Sequence, residues 1–314
     1  MDLTDSPPPN QQALDANAEA YDARCKRIQA IIPIISKEDQ SRIYDILRTS
    51  FGIDSDRGNM IRTNVARMAQ QPADELFPFC DYKNGLSLSD LCTVGDWLNG
   101  SVIDAFMKYV CWNSKTCLPI GSYLGRMLME LNPSAEELKA LSGANKILDH
   151  FSKLSAEGAH GATTILSILR AMKREIDADV HNQLQFVYAP VNIYASHWIL
   201  LRAELKSNRN CHFTCFDPAG NTQAKVQVYS RAAELLGMCL VSMGAADSCT
   251  FSFSPHFDMT LPKQADGVSC GPFVLAFVWY FVNHGRAPCT KDFGNQIVDR
   301  IALRIAILHV LMSE

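Results

Sequence analysis

No two cysteines of this chain stand at C-x-x-C spacing, although it holds eleven, an odd number. That scatter gives neither a paired-thiol zinc module nor a disulfide framework. The thiols read as small buried hydrophobes in a reducing compartment. Surplus positive charge is also missing: 29 Lys and Arg face 33 Asp and Glu, for a net charge of −4. A phosphate backbone calls for a basic surface, so nucleic acid is not the expected partner. Long apolar runs are absent too. The longest, Phe273 to Val282, is ten residues, about half of what spans a bilayer. The opening "MDLTDSPPPN" is acidic and Pro-rich, with no basic stretch leading into an apolar one. It predicts a disordered residues 1–10, no secretory signal and no membrane partner. The cytoplasm or nucleus is the expected location, or a host cell's interior for a chain from a pathogen.

What is present is ample core material. The chain has 314 residues, 47% of them hydrophobic, enough for one large domain or two smaller ones without a metal or disulfide staple. Residues 11–80 read as a helical accessory region. Ile43, Ile46 and Leu47 share a helical face there, Ser36 and Asp39 stand at capping spacing, and a further helix is predicted over Met60–Gln70. Residues 81–314 have a different texture. A turn at Gly95 precedes a helix over Ser101–Tyr109. Helices are predicted over Ser134–Ser155, where Ser134 and Glu137 make a capping pair, and over Ala162–Ile176. Strand-like runs occupy 184–193, 197–205 and 212–218, then a helix Gln223–Met243 and a strand Thr250–Ser254. An apolar helix follows Cys270, and an amphipathic one carries Ile297, Ile301, Ile305, Leu308 and Met312. The order predicts an α+β layout around a modest sheet.

"LPKQADGVSCGPFVLAFVWYF" (261–281) carries the chemistry. Pro272 suits the first turn of a helix, and a thiol at that N-terminus feels partial positive charge, which favours thiolate. The helix is apolar all round, a buried and rigid mount for Cys270. On this stretch alone Cys270 serves equally as a nucleophile or as one more core cysteine. A nucleophilic thiol needs a base, and the base an orienter. His197 opens the strand "HWILLRAEL". Asp217 ends the strand "HFTCFDP", which a short connection over Lys206–Asn210 pairs with the first, so the two side chains fall close together. Gln264, one short loop before Cys270, is within reach of an oxyanion forming at the sulfur's target. A zinc site on Cys211, His212 and Cys215 is not expected, because the middle residue of a strand faces away from its neighbours.

The order His, Asp, Cys, with "HW", "FDP" and Gln six residues before "CG", resembles the ubiquitin-like protease family, which includes the SUMO-deconjugating enzymes and adenain. "DWLNGSVIDAFMKYV" is similar to that family's tryptophan-bearing segment, and "VYAPVNI" to its strand ahead of the catalytic His. The resemblance covers about residues 86–285. It implies a papain-like, adenain-like α+β fold with a central mixed sheet flanked by helices, and a thiol protease or isopeptidase that needs no cofactor. Its partner would be a ubiquitin-like modifier of SUMO, ubiquitin or NEDD type, cleaved after the terminal diglycine. It further implies Cys270 as nucleophile, His197 as general base, Asp217 as its orienter and Gln264 as oxyanion donor. Trp97 and Trp198 would close over the two glycines, a clamp that excludes side chains. Two departures stand out: Gly100 where the family commonly has an acidic or small polar residue, and Ser269 in place of the Asp that often precedes the Cys. The stretch 111–181 has no match in this reading and is expected to be a specificity insertion. Two alternatives use the same residues: an effector-type acetyltransferase fed by acetyl-coenzyme A, and a catalytically silent modifier-binding module.

Overall fold

The computed structural model describes residues 37–53, 77–79, 82–87, 90–91, 94, 97–112, 114–131, 134–141, 145–179, 183–206, 209–220, 225–249, 254–255, 261–293 and 297–312. The predicted disorder of residues 1–10, the Ser36–Asp39 cap, the helix over Met60–Gln70, the turn at Gly95 and most of the strand Thr250–Ser254 lie outside the described residues. In chain order the elements are α1 (Lys37–Phe51), β1 (Phe77–Phe79), β2 (Tyr82–Leu86), α2 (Gly100–Trp112), β3 (Cys117–Pro119), α3 (Ser122–Leu131), α4 (Ala135–Leu141), α5 (Lys146–Ala156), α6 (Ala162–Ala178), β4 (Phe186–Ile193), β5 (His197–Leu205), β6 (Asn210–Phe216), α7 (Val226–Ser242), β7 (Ser248–Cys249), β8 (Ser254–Pro255), α8 (Cys270–His284) and α9 (Ile297–Met312). The chain divides into two compact units, residues 1–102 with 297–314, and residues 103–296.

In the first unit α1 packs on α9. Ile43, Ile46 and Leu47, the predicted apolar face of α1, are all buried. Arg42 Nε donates to Asp299 Oδ1 at 2.7 Å, and Arg304 donates to the carbonyl of Val94. The expected amphipathic pattern of α9 is not what forms. Ala302, Leu303, Ala306, Ile307, Val310 and Leu311 are buried along with Ile301 and Leu308, so the helix is enclosed on nearly every side. Asn99 of the "WLN" run caps α2: its Oδ1 accepts the Val102 N–H at 3.0 Å, while its amide donates to Asp90 at 2.6 Å.

The second unit is built on a mixed sheet in the order β3-β4-β5-β6-β7, with β8 also pairing with β6. β4, β5 and β6 are antiparallel neighbours; β3 runs parallel to β4, and β7 and β8 parallel to β6. Val187, Ala189 and Val191 of β4, Ile199, Leu201 and Ala203 of β5, and Cys211, Phe213 and Cys215 of β6 all join one core with α3, α5, α6 and α7. Alternation sends the intervening residues to the other face. There Tyr188 stacks on Phe281 of α8, and Phe216 meets Phe277 and Phe281. The stretch 111–181 therefore supplies much of the packing on one sheet face. Its predicted capping box is present: the Ser134 N–H donates to Glu137 Oε2 at 2.7 Å and the Glu137 N–H to Ser134 Oγ at 3.2 Å. One long helix over 134–155 does not form. Asn145 adopts φ 63°, a left-handed conformation that a continuous right-handed helix cannot contain, and α5 starts afresh after it.

Gly125 marks the closest approach of α3 to the sheet. A Cβ there would lie 2.9 Å from Val191 Cγ2 and 3.2 Å from Cγ1. Val191 is short, β-branched and buried, so it has no second rotamer to retreat to. Helix propensity favours Ala over Gly by about 1 kcal/mol, but overpacking costs roughly 1–3 kcal/mol. Gly125→Ala is expected to lower stability in urea unfolding despite its better propensity.

Candidate active site

Three elements end at the same edge of this unit. β4 turns into β5 through Tyr194 and Ala195, both at positive φ (55° and 53°), with the Ser196 N–H donating to the Ile193 carbonyl at 3.1 Å. Two successive positive φ values match the right-handed twist of a tight hairpin. His197 opens β5 directly after this turn. The β5–β6 register pairs Leu200 with Phe216 and Leu201 with Cys215. Continued by one residue, it sets Asp217 opposite Ile199 and so diagonally across from His197 on the same face. Asp217 then closes a turn: its Oδ1 accepts the Ala219 N–H at 2.8 Å and its carbonyl the Gly220 N–H at 3.0 Å, with Gly220 at φ 84°. The Gln264 N–H donates to the Pro218 carbonyl at 2.8 Å, tying the loop before α8 to that turn.

His197 Nε2 donates to Asp217 Oδ1 at 2.6 Å, and the Cys270 thiol is near enough to the same ring to help raise its pKa. The Asp217 side chain is fully buried and that of His197 is 18% exposed. Burial would lower the imidazole's pKa, but the bonds to Asp217 and Cys270 outweigh it and carry it up to about 9. Burial likewise pushes Asp217 up, yet the bonds from His197, Tyr229 and the Ala219 N–H win, and the carboxyl stays below its ordinary range. Cys270 is the first residue of α8 and is buried. Its N–H is one of the four that no intrahelical carbonyl accepts.

The loop ahead of Cys270 is held by Asp266. Its Oδ1 accepts the N–H groups of Val268 (3.0 Å) and Ser269 (2.8 Å), and its Oδ2 accepts the Ser269 hydroxyl at 2.8 Å. The Asp-to-Ser departure just before Cys270 is thus accompanied by a carboxylate three residues upstream. Gln264 reaches this loop with its amide Nε2 on the Asp266 carbonyl at 2.6 Å, while its Oε1 is buried without a partner. One N–H of the amide is thus engaged and one remains. Trp198 is buried, 5% exposed, on the sheet face opposite His197 by strand alternation; Trp97 belongs to the other compact unit and is 41% exposed.

Sequence reasoning missed two side chains at Asp217. The Tyr229 hydroxyl and Lys225 Nζ (3.4 Å) both donate to Oδ2. Their i,i+4 spacing at the start of α7 places them on one helix face but does not say that this face meets Asp217. Among the described residues no His, Cys, Asp and Glu side chains gather as a metal site, and no helix is long and apolar enough to cross a membrane.

The profile of the Ulp1 protease family, C-terminal catalytic domain, matches residues 143–309, over half of the chain. The match takes in His197, Trp198, Asp217, Gln264 and Cys270, as well as residues 143–181; Trp97 precedes it. A search of curated protein sequences finds no match. Among solved structures, the chain is similar to the SUMO protease Ulp1 with its catalytic cysteine oxidised to a sulfinic acid, at 17% identity and a TM-score of 0.50, over 83% of this chain and 95% of that one. It is also similar to the C-terminal Ulp1 protease domain in complex with Smt3, the yeast ortholog of SUMO, at 18% identity and a TM-score of 0.49, over 83% and 96%. The Xanthomonas campestris effector XopD bound to ubiquitin aligns at 17% identity and a TM-score of 0.37, over 68% and 90%. At 17% identity the likeness to the first of these is one of fold, and membership rests on the family profile. This chain belongs to the Ulp1 protease family, cysteine peptidases that act on ubiquitin-like modifiers.

Proposed function

We propose that the protein cleaves after the C-terminal diglycine of a ubiquitin-like modifier, releasing it from a lysine conjugate or a precursor. The observation that carries this reading is the meeting of the Cys270 sulfur, the His197 imidazole and the buried Asp217 carboxylate at one sheet edge in a chain of this family. Cys270, as thiolate, attacks the terminal glycine carbonyl. The His197 imidazolium, held by Asp217, gives its proton to the departing amine. Water, deprotonated by the same ring, then attacks the thioester and frees the carboxylate and the thiol. The oxyanion is assigned to the N–H of Cys270 and the second amide N–H of Gln264; losing one such donor costs about 3 kcal/mol of transition-state stabilisation. Trp198 is assigned to the diglycine.

Ubiquitin, SUMO and NEDD-type modifiers carrying an electrophile in place of the terminal carboxylate test this directly. At least one is expected to form a covalent adduct with Cys270, located by peptide mass mapping and absent in Cys270→Ala. A panel in which none labels Cys270 overturns the reading.

A further inference from the structure

The Asp217 carboxylate is shared between two sets of donors, one on each oxygen. Oδ1 takes His197 Nε2 at 2.6 Å and the Ala219 N–H at 2.8 Å. Oδ2 takes the Tyr229 hydroxyl and Lys225 Nζ at 3.4 Å, both from the start of α7. Every lone-pair direction of a buried carboxylate is thereby used. Tyr229 is itself fully buried, and Cys215 of β6 is the other titratable group close to Asp217. Cys270, from α8, faces His197, and Lys263 runs past Gly220 in the adjoining turn.

Lys225 is badly placed for its own helix. It is the N-cap residue of α7, with no side-chain capping bond, and a cation there opposes the helix dipole. Its ammonium group instead points at the buried carboxylate of Asp217. A hydroxyl or carboxylate would serve that cap better; a lysine there serves the carboxylate.

We propose that Tyr229 and Lys225 are positioning residues for the catalytic pair: Tyr229 fixes the plane of the Asp217 carboxylate, and Lys225 draws charge from it and so sets how strongly it holds the His197 proton. The proposal rests on the reading of Cys270, His197 and Asp217 given above. Its physical content is competition. Each donor on Oδ2 stabilises charge that would otherwise stabilise the imidazolium through Oδ1. Lys225 thereby lowers the pH at which His197 releases its proton, easing the transfer to the leaving amine, while Tyr229 keeps Oδ1 aimed at Nε2.

The test measures kcat and KM against pH for hydrolysis of a modifier bearing a fluorogenic amine at its C-terminus, with thermal unfolding of each variant alongside. Lys225→Met is expected to move the alkaline limb of kcat/KM upward by about half a pH unit, with KM unchanged. Lys225→Arg keeps the cation and keeps the wild-type limb. Tyr229→Phe is expected to lower kcat about tenfold at unchanged KM and to raise the same limb. An NMR titration of the His197 ring in each variant reads the same shift without turnover. It therefore separates the two ideas: a wild type that hydrolyses no modifier sinks the proposed function, whereas the ring titration still decides this one. Superimposable titrations for wild type and Lys225→Met, or a Tyr229→Phe loss that follows loss of folded protein, overturn it.

Discussion

Cys270→Ala is expected to reduce kcat/KM on a fluorogenic modifier substrate by at least about 10⁴-fold, with the fold intact. The two halves of this expectation have separate causes. Turnover needs a covalent intermediate on sulfur, and neither His197 nor Asp217 can form it. Stability is scarcely touched, because Cys270 sits at the first turn of α8 and gives up only a sulfur atom, while Phe273, Val274 and Phe277 below it stay fully packed. Cys270→Ser separates the nucleophile from its surroundings. The hydroxyl has the right shape and is far harder to ionise, so a comparable loss is expected, with modifier binding retained. Calorimetric binding of the modifier to both variants, beside circular dichroism melting, checks this. A Cys270→Ala enzyme within tenfold of wild type would mean that the sulfur is not the nucleophile.

The sequence made the backbone of this site legible because each side chain stands at a boundary. His197 opens a run of alternating strand residues and Asp217 closes the next, so pairing two adjacent strands brings them together. Cys270 precedes a run of apolar residues too uniform for a strand face, and Gly271–Pro272 marks the start of a helix. What could not be read was convergence between elements with no shared pattern. Tyr229 lies twelve residues beyond Asp217, on a helix whose burial signal says only that Tyr faces the core; that its hydroxyl ends on Oδ2 depends on how α7 crosses the sheet. Gln264 shows the same limit. Its spacing from Cys270 gives proximity, but its amide turns to the Asp266 carbonyl, a bond set by the loop's own geometry. The break at Asn145 did carry a signal: Ser142 and Gly143 stand just before it, a pair that favours a helix stop, and the capping pair upstream and the apolar spacing downstream outweigh it in the sequence pattern.

Asp217→Asn is expected to lower kcat/KM by about 10²–10³-fold and to move its alkaline limb to lower pH, because the His197 imidazolium, carried up to about 9 in the wild type, loses the carboxylate that holds its proton. On the proposed mechanism, activity needs the His197 imidazolium and falls as that ring deprotonates. Without the carboxylate, burial lowers the pKa of His197 with only Cys270 left to oppose it, so the imidazolium is lost at a lower pH. The amide also leaves donors mismatched, because His197, Tyr229, Lys225 and the Ala219 N–H all point at oxygens, one of which becomes an NH₂ group. Stability follows the same protons. The folded pKa of His197 is raised above its ordinary 6.5, so the ion pair stabilises the fold fully below about pH 6.5 and the contribution is lost as pH rises through about 9. The folded pKa of Asp217 is lowered, so its contribution is present above the ordinary carboxylate range and is lost as pH falls through its depressed value. Urea unfolding of wild type and Asp217→Asn across pH should therefore show the widest gap in mildly acidic to neutral solution, narrowing toward both extremes. A gap that keeps widening above pH 9 would show that the stabilising partner of Asp217 is not the imidazolium.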